Sequence, residues 1–431
     1  MDKIRITGGK PLQGTISIQG SKNSALPMMA ASLLHRGVSV LKGCPAIADV
    51  YCMEDILRSL GALTWWEKNT LYLDCSRADG TEVSGDSTGK MRSSVILLGA
   101  LLARNKKGSM GYPGGCVIGK RPVDQHLYVL RCLGACVQEK ENSLEAEAGC
   151  LKGAEIVFGK ISVGATEQGV LAAVLAEGHT VLRNCAREPE IVWLCRYLRS
   201  MGAEIQGEGT HCIRITGVKE LKAGNMQIPP DRIVAGTYLC AAAATRGKIT
   251  ISNPPEGELD AFLEVYGKMG GQYNRRSGKL IADGSGTAFP VPFLETDTYP
   301  GFPTDLQSPL MAVLTTIPGK SRIRENIFEN RFRIAEELNK MGASVAVSGR
   351  EASIQGGTCL RGCTVRAREL RGGAALLVAA LAAQGETVIE GCSFIYRGYE
   401  HICEDLASLG AQIEEDTGTA FLWEHQNTEK N

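Results

Sequence analysis

The sequence predicts an α/β protein made of two domains, each built from three repeats of one α/β unit. Two recurring glycines carry this prediction. One lies in a phrase close to Leu-Arg-Ser-Leu-Gly-Ala that occurs six times, with its glycine at positions 61, 134, 202, 270, 342 and 410. The other ends an Ala/Leu-rich run at positions 37, 108, 178, 247, 319 and 385. Spacings of 68 to 73 residues in the first series indicate an internal duplication, and they exceed the roughly 33 to 47 residues of helical solenoid repeats.

Helices and strands are predicted to alternate within each repeat, as the first repeat illustrates. Residues 22–35 form an apolar run of helical length, and Gly37 after it can end a helix as a C-cap. A strand, an amphipathic helix and a pair of strands are then predicted at 38–42, 49–60, 63–66 and 71–73. This alternation, with glycine between the elements, favours α/β units over an all-helical array.

Length and composition bound the domain organisation and the class of ligand. A chain of 431 residues predicts two to three domains, and six repeats divide naturally into two sets of three. Pro229-Pro230, between the third and fourth repeats, favours an extended connection and marks the boundary. Lys plus Arg and Asp plus Glu both number 47, so no net field attracts nucleic acid or a membrane. A bound anion therefore requires a local cluster of cations.

Several kinds of segment and site are not indicated. Residues 1–20 contain no apolar signal region. The longest apolar stretch, 374–383, has ten residues, about half the length that spans a bilayer. The fifteen cysteines are scattered without a CxxC pair, which is typical of reduced cytosolic thiols. No HExxH or Cys/His ligand spacing occurs, so we expect a cytoplasmic protein with no metal.

Charged and polar residues collect where the first helix of each repeat is predicted to begin. These positions are Lys22-Asn23, Met91-Arg92, 164–166, Asp231-Arg232, Thr304-Asp305 and Leu370-Arg371. The free N–H groups of a helix start bind anions. Arginine there opposes the helix dipole, so Arg92, Arg232 and Arg371 favour a nearby anion, although each alone is more often a solvated charge. Asp305 ahead of an apolar run also fits a simple N-cap.

A glycine-rich loop at 111–126 contains a candidate reactive thiol. Cys116 lies four residues before Lys120 and five before Arg121, and nearby cations lower the pKa of a thiol. The alternative is that Cys116 is a structural cysteine in a turn. With fifteen cysteines in the chain, any single one is more often structural than catalytic. The loop matches neither GxxxxGK[ST] nor GxGxxG, so its glycines alone do not indicate phosphate binding.

The segment 296–307 contains two prolines, a glycine and two aromatic residues ahead of a predicted helix. A backbone restricted in this way can hold Asp305 in the fixed geometry that a general base requires. A stiff turn between strands is the alternative explanation.

Six motifs in order connect these residues to a known family. They occupy 20–27 (GSKNSALP), 114–124 (GGCVIGKRPVD), 162–167 (SVGATE), 299–305 (YPGFPTD), 328–332 (FENRF) and 397–400 (RGYE). In these motifs the chain resembles the enolpyruvyl transferases, and among them the UDP-N-acetylglucosamine 1-carboxyvinyltransferase family, over essentially all 431 residues. The sister family, 5-enolpyruvylshikimate-3-phosphate synthase, shares the repeat fold but lacks the Gly-Gly-Cys loop.

The resemblance implies a fold and a reaction. The fold is two inside-out α/β domains of three repeats each, with helices inside and sheets outside. One domain would comprise 22–229 and the other 1–21 with 230–431, with the active site in the cleft between them. The reaction transfers the enolpyruvyl group of phosphoenolpyruvate to the 3'-hydroxyl of UDP-N-acetylglucosamine through a tetrahedral ketal intermediate. It releases phosphate and is the first committed step of peptidoglycan synthesis, hence of cell wall biogenesis, cell shape and cell division.

The resemblance also implies residue roles and no cofactor. Cys116 matches the general acid that can form a covalent pyruvate adduct and that fosfomycin modifies, and Asp305 matches the base that deprotonates the sugar hydroxyl. Lys22, Arg121 and Arg397 match the phosphoenolpyruvate-binding cations, with Asn23 and Arg371 beside them; Lys22 and Arg397 are also expected in catalysis. The matched substrate contacts are Arg92, Arg121, Pro122, Val123, Asp124, Gln125, Lys160, Ile161, Ser162, Val163, Asp305, Ile327 and Arg331.

The chain departs from the family pattern at a few positions. Glu369 stands where Asp usually precedes Leu-Arg, and Phe394 and Tyr396 replace a His and an Asp before Arg397. Gln168 and Ser93 are further departures. None removes a matched catalytic group. Two alternatives therefore stay open: a catalytically weak nucleotide-sugar-binding paralogue with a regulatory role, and 5-enolpyruvylshikimate-3-phosphate synthase. Retention of both Cys116 and Asp305 favours the active transferase.

Overall fold

The computed structural model describes residues 3–114, 118–119 and 121–416, which form two compact units. The terminal unit contains residues 3–19, 118–119 and 230–416, and the middle unit contains residues 20–114 and 121–229. The sequence placed residues 118–119 in the other domain. They group with the terminal unit because the backbone carbonyl of Ile118 accepts a hydrogen bond of 3.0 Å from the amide of Asn330.

Three four-stranded sheets build the middle unit. In pairing order, the first is Asn225–Gln227, Val38–Lys42, Thr70–Asp74 and Leu63–Glu67; the second is Glu82–Val83, Lys107–Gly111, Ser143–Glu147 and Cys136–Glu139; the third is Glu155–Val157, His179–Arg183, Cys212–Thr216 and Glu204–Gln206. In each sheet the first pair is parallel and the others are antiparallel. The last strand of each repeat thus forms the parallel edge strand of the next repeat's sheet, and the last strand of the third repeat forms that of the first.

The terminal unit repeats this plan. Its sheets are Gln13–Ile16, Lys248–Ile251, Lys279–Asp283 and Gln272–Arg276; Leu294–Glu295, Gly319–Arg324, Glu351–Gly356 and Ser344–Ser348; and Thr364–Arg366, Glu386–Glu390, Lys3–Thr7 and Gln412–Asp416. The N-terminal segment completes two of them. Strand Lys3–Thr7 lies between two antiparallel neighbours, with Lys3 opposite both Glu390 and Asp416. Its residues Ile4 and Ile6 are fully buried, which fixes the register because a one-residue slip would expose them.

Six apolar helices form the centres of the two units. They are Lys22–Ser32, Leu97–Asn105 and Val163–Ala173 in the middle unit, and Arg232–Ala244, Gln307–Thr316 and Leu370–Ala382 in the terminal unit. Arg232–Ala244 is buried at every residue, and in the terminal unit the three helices all pack against one another. A helix that is apolar all round is stable only when other elements surround it, so the sequence places these helices inside.

Amphipathic helices and the sheets form the outside of each unit. The remaining helices are Ala48–Ser59, Gly85–Thr88, Asp124–Cys132, Pro189–Ser200, Asp260–Lys268, Ile334–Lys340 and Ile402–Ser408, with 3-10 turns at Arg92–Ile96, Thr304–Leu306, Arg331–Arg333 and Cys392–Arg397. Many strands alternate buried and exposed residues, as Glu351–Gly356 does, so one sheet face packs on the core. The predicted inside-out α/β fold is therefore confirmed. None of the helices in the described ranges combines the length and hydropathy needed to span a bilayer.

Candidate active site

The carboxylate of Asp305 is the centre of a charged cluster in the terminal unit. Arg331 donates from Nη2 to Oδ1 at 2.8 Å, and Arg371 donates from Nε and Nη2 to Oδ2 at 3.2 and 3.0 Å. The side chains of Arg331 and Arg371 are 2% and 3% exposed, whereas that of Asp305 is 26% exposed. Two buried guanidinium groups thus orient one carboxylate that reaches solvent. Both neighbours of this carboxylate are cationic.

Asp305 is not the N-cap that one reading of the sequence suggested. It lies inside the 3-10 turn Thr304–Leu306, and the helix Gln307–Thr316 that follows has Leu306 at its N-cap position, with no side-chain capping bond. Among the described contacts, the carboxylate is directed to arginines of other segments. This distinction matters because a capping carboxylate is committed to its helix, whereas this one faces charged side chains of other segments.

Arg371 is held in place by its own helix and by an aromatic hydroxyl. Helix Leu370–Ala382 begins beside it, and Glu369 caps that helix by accepting hydrogen bonds from the amides of Arg371, at 2.8 Å, and Gly372. The guanidinium also donates to the Tyr399 hydroxyl at 3.4 Å. Burial lowers the pKa of the Arg371 guanidinium, but Asp305, Tyr399 and Asp231 raise it, and the net pKa lies above its usual value.

Arg331 reaches Asp305 from the motif at 328–332. Its guanidinium stacks on the ring of Phe328, 5.4 Å from the centroid. The half-buried Ile327 lies directly before that ring, so a predicted nucleotide-sugar contact and a partner of Asp305 belong to one segment. The described structure therefore brings together Asp305, Ile327, Arg331 and Arg371 within the terminal unit.

Arg397 lies in the same unit at the end of the 3-10 turn Cys392–Arg397 and is half-buried. The side-chain amide of Gln19 holds the following residues, because it donates to the carbonyl of Gly398 at 3.2 Å and accepts from the amide of Glu400 at 2.8 Å. The N-terminal segment thereby fixes the backbone beside Arg397.

Lys22 and Asn23 begin the first central helix of the middle unit, whose N-cap is Ser21. The ammonium group of Lys22 lies 3.0 Å from Oδ2 of Asp49, and the two side chains are 13% and 6% exposed. A buried carboxylate thus orients the lysine. Asp49 was not predicted as a site residue from the sequence, where it was only part of an amphipathic helix; the available signal was an acidic residue on the apolar face of that helix.

A second cluster in the middle unit surrounds Arg92. Its guanidinium donates to the carbonyls of Pro113, at 3.2 Å, Pro122, at 3.1 Å, and Arg121. Burial, reinforced by the charge of Arg121, lowers the pKa of Arg92 to about 10. Arg92 therefore fixes the backbone on either side of the loop, and it brings the side chain of Arg121 near a second cation.

The other substrate contacts predicted for the middle unit lie near the start of helix Asp124–Cys132. Lys160 lies 3.9 Å from Asp124, and Gln125 accepts from the amide of Gly159 at 2.9 Å. Val123 is buried and Pro122 exposed. The next central helix starts at Val163, capped by Ser162, with Ile161 half-buried before it. These residues form one surface made from 122–125 and 160–163.

Two further aspects complete the site. Cys116, the predicted general acid, lies outside the described residues.

His126 was not predicted from the sequence either. Its Nδ1 contacts Oε1 of Gln168 at 2.7 Å, and burial lowers its pKa to about 4. Gln168, noted only as a departure from the family pattern, is thus a partner of a buried neutral histidine. No local spacing signalled this pair, since 42 residues separate its members.

Comparison with known proteins identifies the family of the chain. Residues 6–406 match the family model for EPSP synthase (3-phosphoshikimate 1-carboxyvinyltransferase). The chain is 44% identical over 413 residues to UDP-N-acetylglucosamine 1-carboxyvinyltransferase 2 of Caldanaerobacter subterraneus subsp. tengcongensis, covering 96% of this chain and 99% of that protein. It is 43% identical over 415 residues to UDP-N-acetylglucosamine 1-carboxyvinyltransferase of Clostridium botulinum, with the same coverage.

Solved structures show the same fold. The enolpyruvyl transferase NikO from Streptomyces tendae superposes with a TM-score of 0.86 at 26% identity, covering 96% of this chain and 98% of that one. EPSP synthase from Acinetobacter baumannii gives a TM-score of 0.73 at 18% identity, with 96% and 100% covered, and supports the fold alone. Fold and site thus define an enolpyruvyl transferase. The chain belongs to the EPSP synthase family and, within it, to the UDP-N-acetylglucosamine 1-carboxyvinyltransferase group, which confirms the resemblance found in the sequence.

Proposed function

We propose that this enzyme transfers the enolpyruvyl group of phosphoenolpyruvate to the 3'-hydroxyl of UDP-N-acetylglucosamine and releases phosphate. The names of relatives that match nearly its whole length support the acceptor. The observation that carries the chemistry is Asp305, a partly exposed carboxylate held by two buried arginines.

Asp305 is the base in this proposal. The hydroxyl oxygen of the sugar attacks C2 of phosphoenolpyruvate as its proton passes to the carboxylate, and a second proton is added to the methylene carbon. The tetrahedral ketal then loses phosphate and a methyl proton to restore the double bond. A base must be positioned before it is reactive, and the hydrogen bonds from Arg331 and Arg371 provide that positioning.

Lys22, Arg121, Arg371 and Arg397 bind phosphoenolpyruvate in this proposal. A phosphate and a carboxylate on three carbons require such a cluster, and guanidinium forks match both anions. Because the total charge of the chain is balanced, this attraction has to come from local groups such as these cations.

The remaining assignments complete the proposal. Cys116 supplies the proton to the methylene carbon. Residues 121–125 and 160–163, with Arg92 and Ile327, contact the nucleotide sugar. The enzyme acts in the cytoplasm at the first committed step of peptidoglycan synthesis, where its product enters the cell wall precursor.

Phosphate release from phosphoenolpyruvate tests this function directly. Release is expected only when UDP-N-acetylglucosamine is added, with a product heavier than the acceptor by one enolpyruvyl group. Release with shikimate 3-phosphate instead would assign the shikimate reaction. Calorimetric binding of the nucleotide sugar without any release would assign a binding paralogue. Either result would overturn the proposal.

A further inference from the structure

Glu325 is a fully buried carboxylate to which neither the sequence nor the proposed reaction assigns a role. Its Oε1 accepts hydrogen bonds from the amides of Ile327, at 2.8 Å, and Phe328, at 3.0 Å. Its Oε2 accepts from the hydroxyl of Thr304 at 3.0 Å. Three donors therefore satisfy both oxygens of a polar group that would otherwise be costly to bury.

Hydrogen bonds that do not involve its carboxylate also hold the loop that contains Glu325. Arg350 donates to the carbonyls of Glu325, at 3.2 Å, and Asn326, at 2.9 Å. The amide of Asn326 donates to Oγ1 of the buried Thr296 at 3.0 Å. Among the described contacts, the bond from Thr304 is the one by which this carboxylate reaches the turn of Asp305.

We propose that Glu325 is a positioning residue for Asp305. One oxygen shapes the segment that carries Ile327 and Phe328, and the ring of Phe328 supports Arg331. The other oxygen holds Thr304, the residue before Asp305. Glu325 thus sets the separation between the base and the segment bearing one of its two arginines. The catalytic part of this inference rests on the proposed role of Asp305.

A carboxylate suits this task because a single side chain must accept from three donors in two directions. Arg331 and Arg371 orient the carboxylate of Asp305, but neither fixes the backbone of its turn. Loss of the Thr304 bond removes one restraint on that turn, which keeps its backbone bond from Leu306 to Pro303 at 3.0 Å, while both arginines remain. Misplacement of a reacting group by about 1 Å can cost roughly a hundredfold in rate, so a small shift is sufficient to be measured.

Variants of Thr304 test the link without altering either charge. Thr304→Val is expected to lower kcat by about tenfold to a hundredfold, with less than about a threefold change in KM for the nucleotide sugar. Thr304→Ser, which keeps the hydroxyl, is expected to restore kcat to within about threefold. The matched control is Thr64→Val, which removes a hydroxyl bonded at 2.6 Å to the buried Glu54, away from the predicted site residues.

Backbone hydrogen exchange in the absence of substrate separates this proposal from the proposed function. Thr304→Val should speed exchange across 303–307, and Glu325→Ala should speed it across both 303–307 and 325–328. Unchanged exchange across 303–307 in both variants would overturn the positioning role, whether or not the wild-type protein turns over. Wild-type kcat in Thr304→Val, or no recovery in Thr304→Ser, would also overturn it. A wild-type protein that is inactive but shows the expected exchange would contradict only the proposed reaction.

Discussion

Arg371 binds one oxygen of Asp305 through two nitrogens, Nε at 3.2 Å and Nη2 at 3.0 Å, both to Oδ2. The other oxygen, Oδ1, accepts from Arg331 at 2.8 Å. Both oxygens of the proposed base therefore accept hydrogen bonds from arginines. A carboxylate has about four lone-pair sites, so these bonds orient the group without preventing it from taking a proton. In the proposed function Arg371 also contacts phosphoenolpyruvate, so the same arginine would join the substrate site to the base.

The variant Asp305→Asn is expected to lower kcat by about a hundredfold to ten-thousandfold, the range for loss of a general base. The amide keeps the shape of the side chain, but it cannot take a proton, and its NH2 group faces arginine donors. Phosphate release measures the effect. Asp260→Asn is the control, because Asp260 accepts from Arg275 at 2.6 Å on the surface. Equal losses in the two variants would argue against a base at 305.

Arg371→Lys is expected to reduce kcat/KM for phosphoenolpyruvate at least tenfold, since an ammonium group cannot reproduce a planar fork. Tenfold corresponds to about 1.4 kcal/mol. The control is Arg324→Lys. Arg324 makes the same two-nitrogen contact to one oxygen of Glu351, at 2.9 and 2.6 Å, but on the surface. Steady-state kinetics of both variants gives the comparison, and an unchanged value for Arg371→Lys would remove Arg371 from the substrate site.

Periodic features of the sequence predicted most of the fold. The repeated glycines gave six repeats, and Gly61, Gly134, Gly202, Gly270, Gly342 and Gly410 all adopt positive φ angles of 93° to 103° at helix ends. Predicted strand 38–42 matches Val38–Lys42, and predicted helix 49–60 is observed at Ala48–Ser59. These elements were predictable because helix and strand periods and glycine stops are local properties of the chain.

Pairings between distant segments were not predictable in this way. Glu325 meets Thr304 across 21 residues, and Arg371 meets Asp305 across 66. No spacing rule selects those partners, because the packing of central helices decides which side chains meet. Glu369 is a residue that the sequence singled out but whose contacts it did not predict. The sequence marked it only as a departure from the family pattern, whereas in the structure its carboxylate binds backbone amides and acts on Arg371 through the helix start.

Cys116 is expected to be the thiol that fosfomycin alkylates. This prediction comes from the sequence, in which Lys120 and Arg121 follow in the same loop. Three buried thiols are disfavoured as competitors, since burial raises the pKa of Cys75, Cys185 and Cys403 to about 12. The exposed Cys136 and Cys359 are the competitors that peptide mapping must distinguish from Cys116. Intact mass and peptide mapping after treatment give the result, with Cys116→Ser as the control. A label elsewhere, or undiminished turnover after full labelling, would contradict the assignment.

Glu369→Asp is expected to change kcat/KM by less than about tenfold, or about 1.4 kcal/mol. Aspartate is among the best N-cap residues, so it can take over the bonds to the amides of Arg371 and Gly372. Glu369→Ala removes the cap and is expected to cost about 0.5–2 kcal/mol of stability. Urea unfolding and phosphate release measure the two effects. A starting protein without turnover that Glu369→Asp activates would identify a binding paralogue.

Glu167 provides a prediction about stability and pH. It is buried on a central helix of the middle unit, and burial, with the charges of Glu190 and Glu188, raises its pKa from 4.5 to about 8. A raised carboxyl pKa means that the folded state holds the proton more tightly than the unfolded state does. Below about pH 4.5 Glu167 is protonated in both states and does not change the free energy of unfolding. As the pH rises from there to about 8, the unfolded state loses the proton more readily than the folded state, so the free energy of unfolding falls progressively.

Glu167→Gln should remove that penalty, because its amide stays uncharged at every pH. The variant and the wild type should have similar urea midpoints near pH 5, and the variant should be more stable by an amount on the order of a few kcal/mol at pH 8. Fluorescence of Trp65, Trp66 and Trp193 follows the unfolding of the middle unit, in which all three lie. Glu204→Gln, at an exposed position in the same unit, is the matched control and should show no such divergence. A constant difference between Glu167→Gln and the wild type from pH 5 to pH 8 would mean that Glu167 does not titrate in this range, and that its environment stabilises the charge in spite of burial.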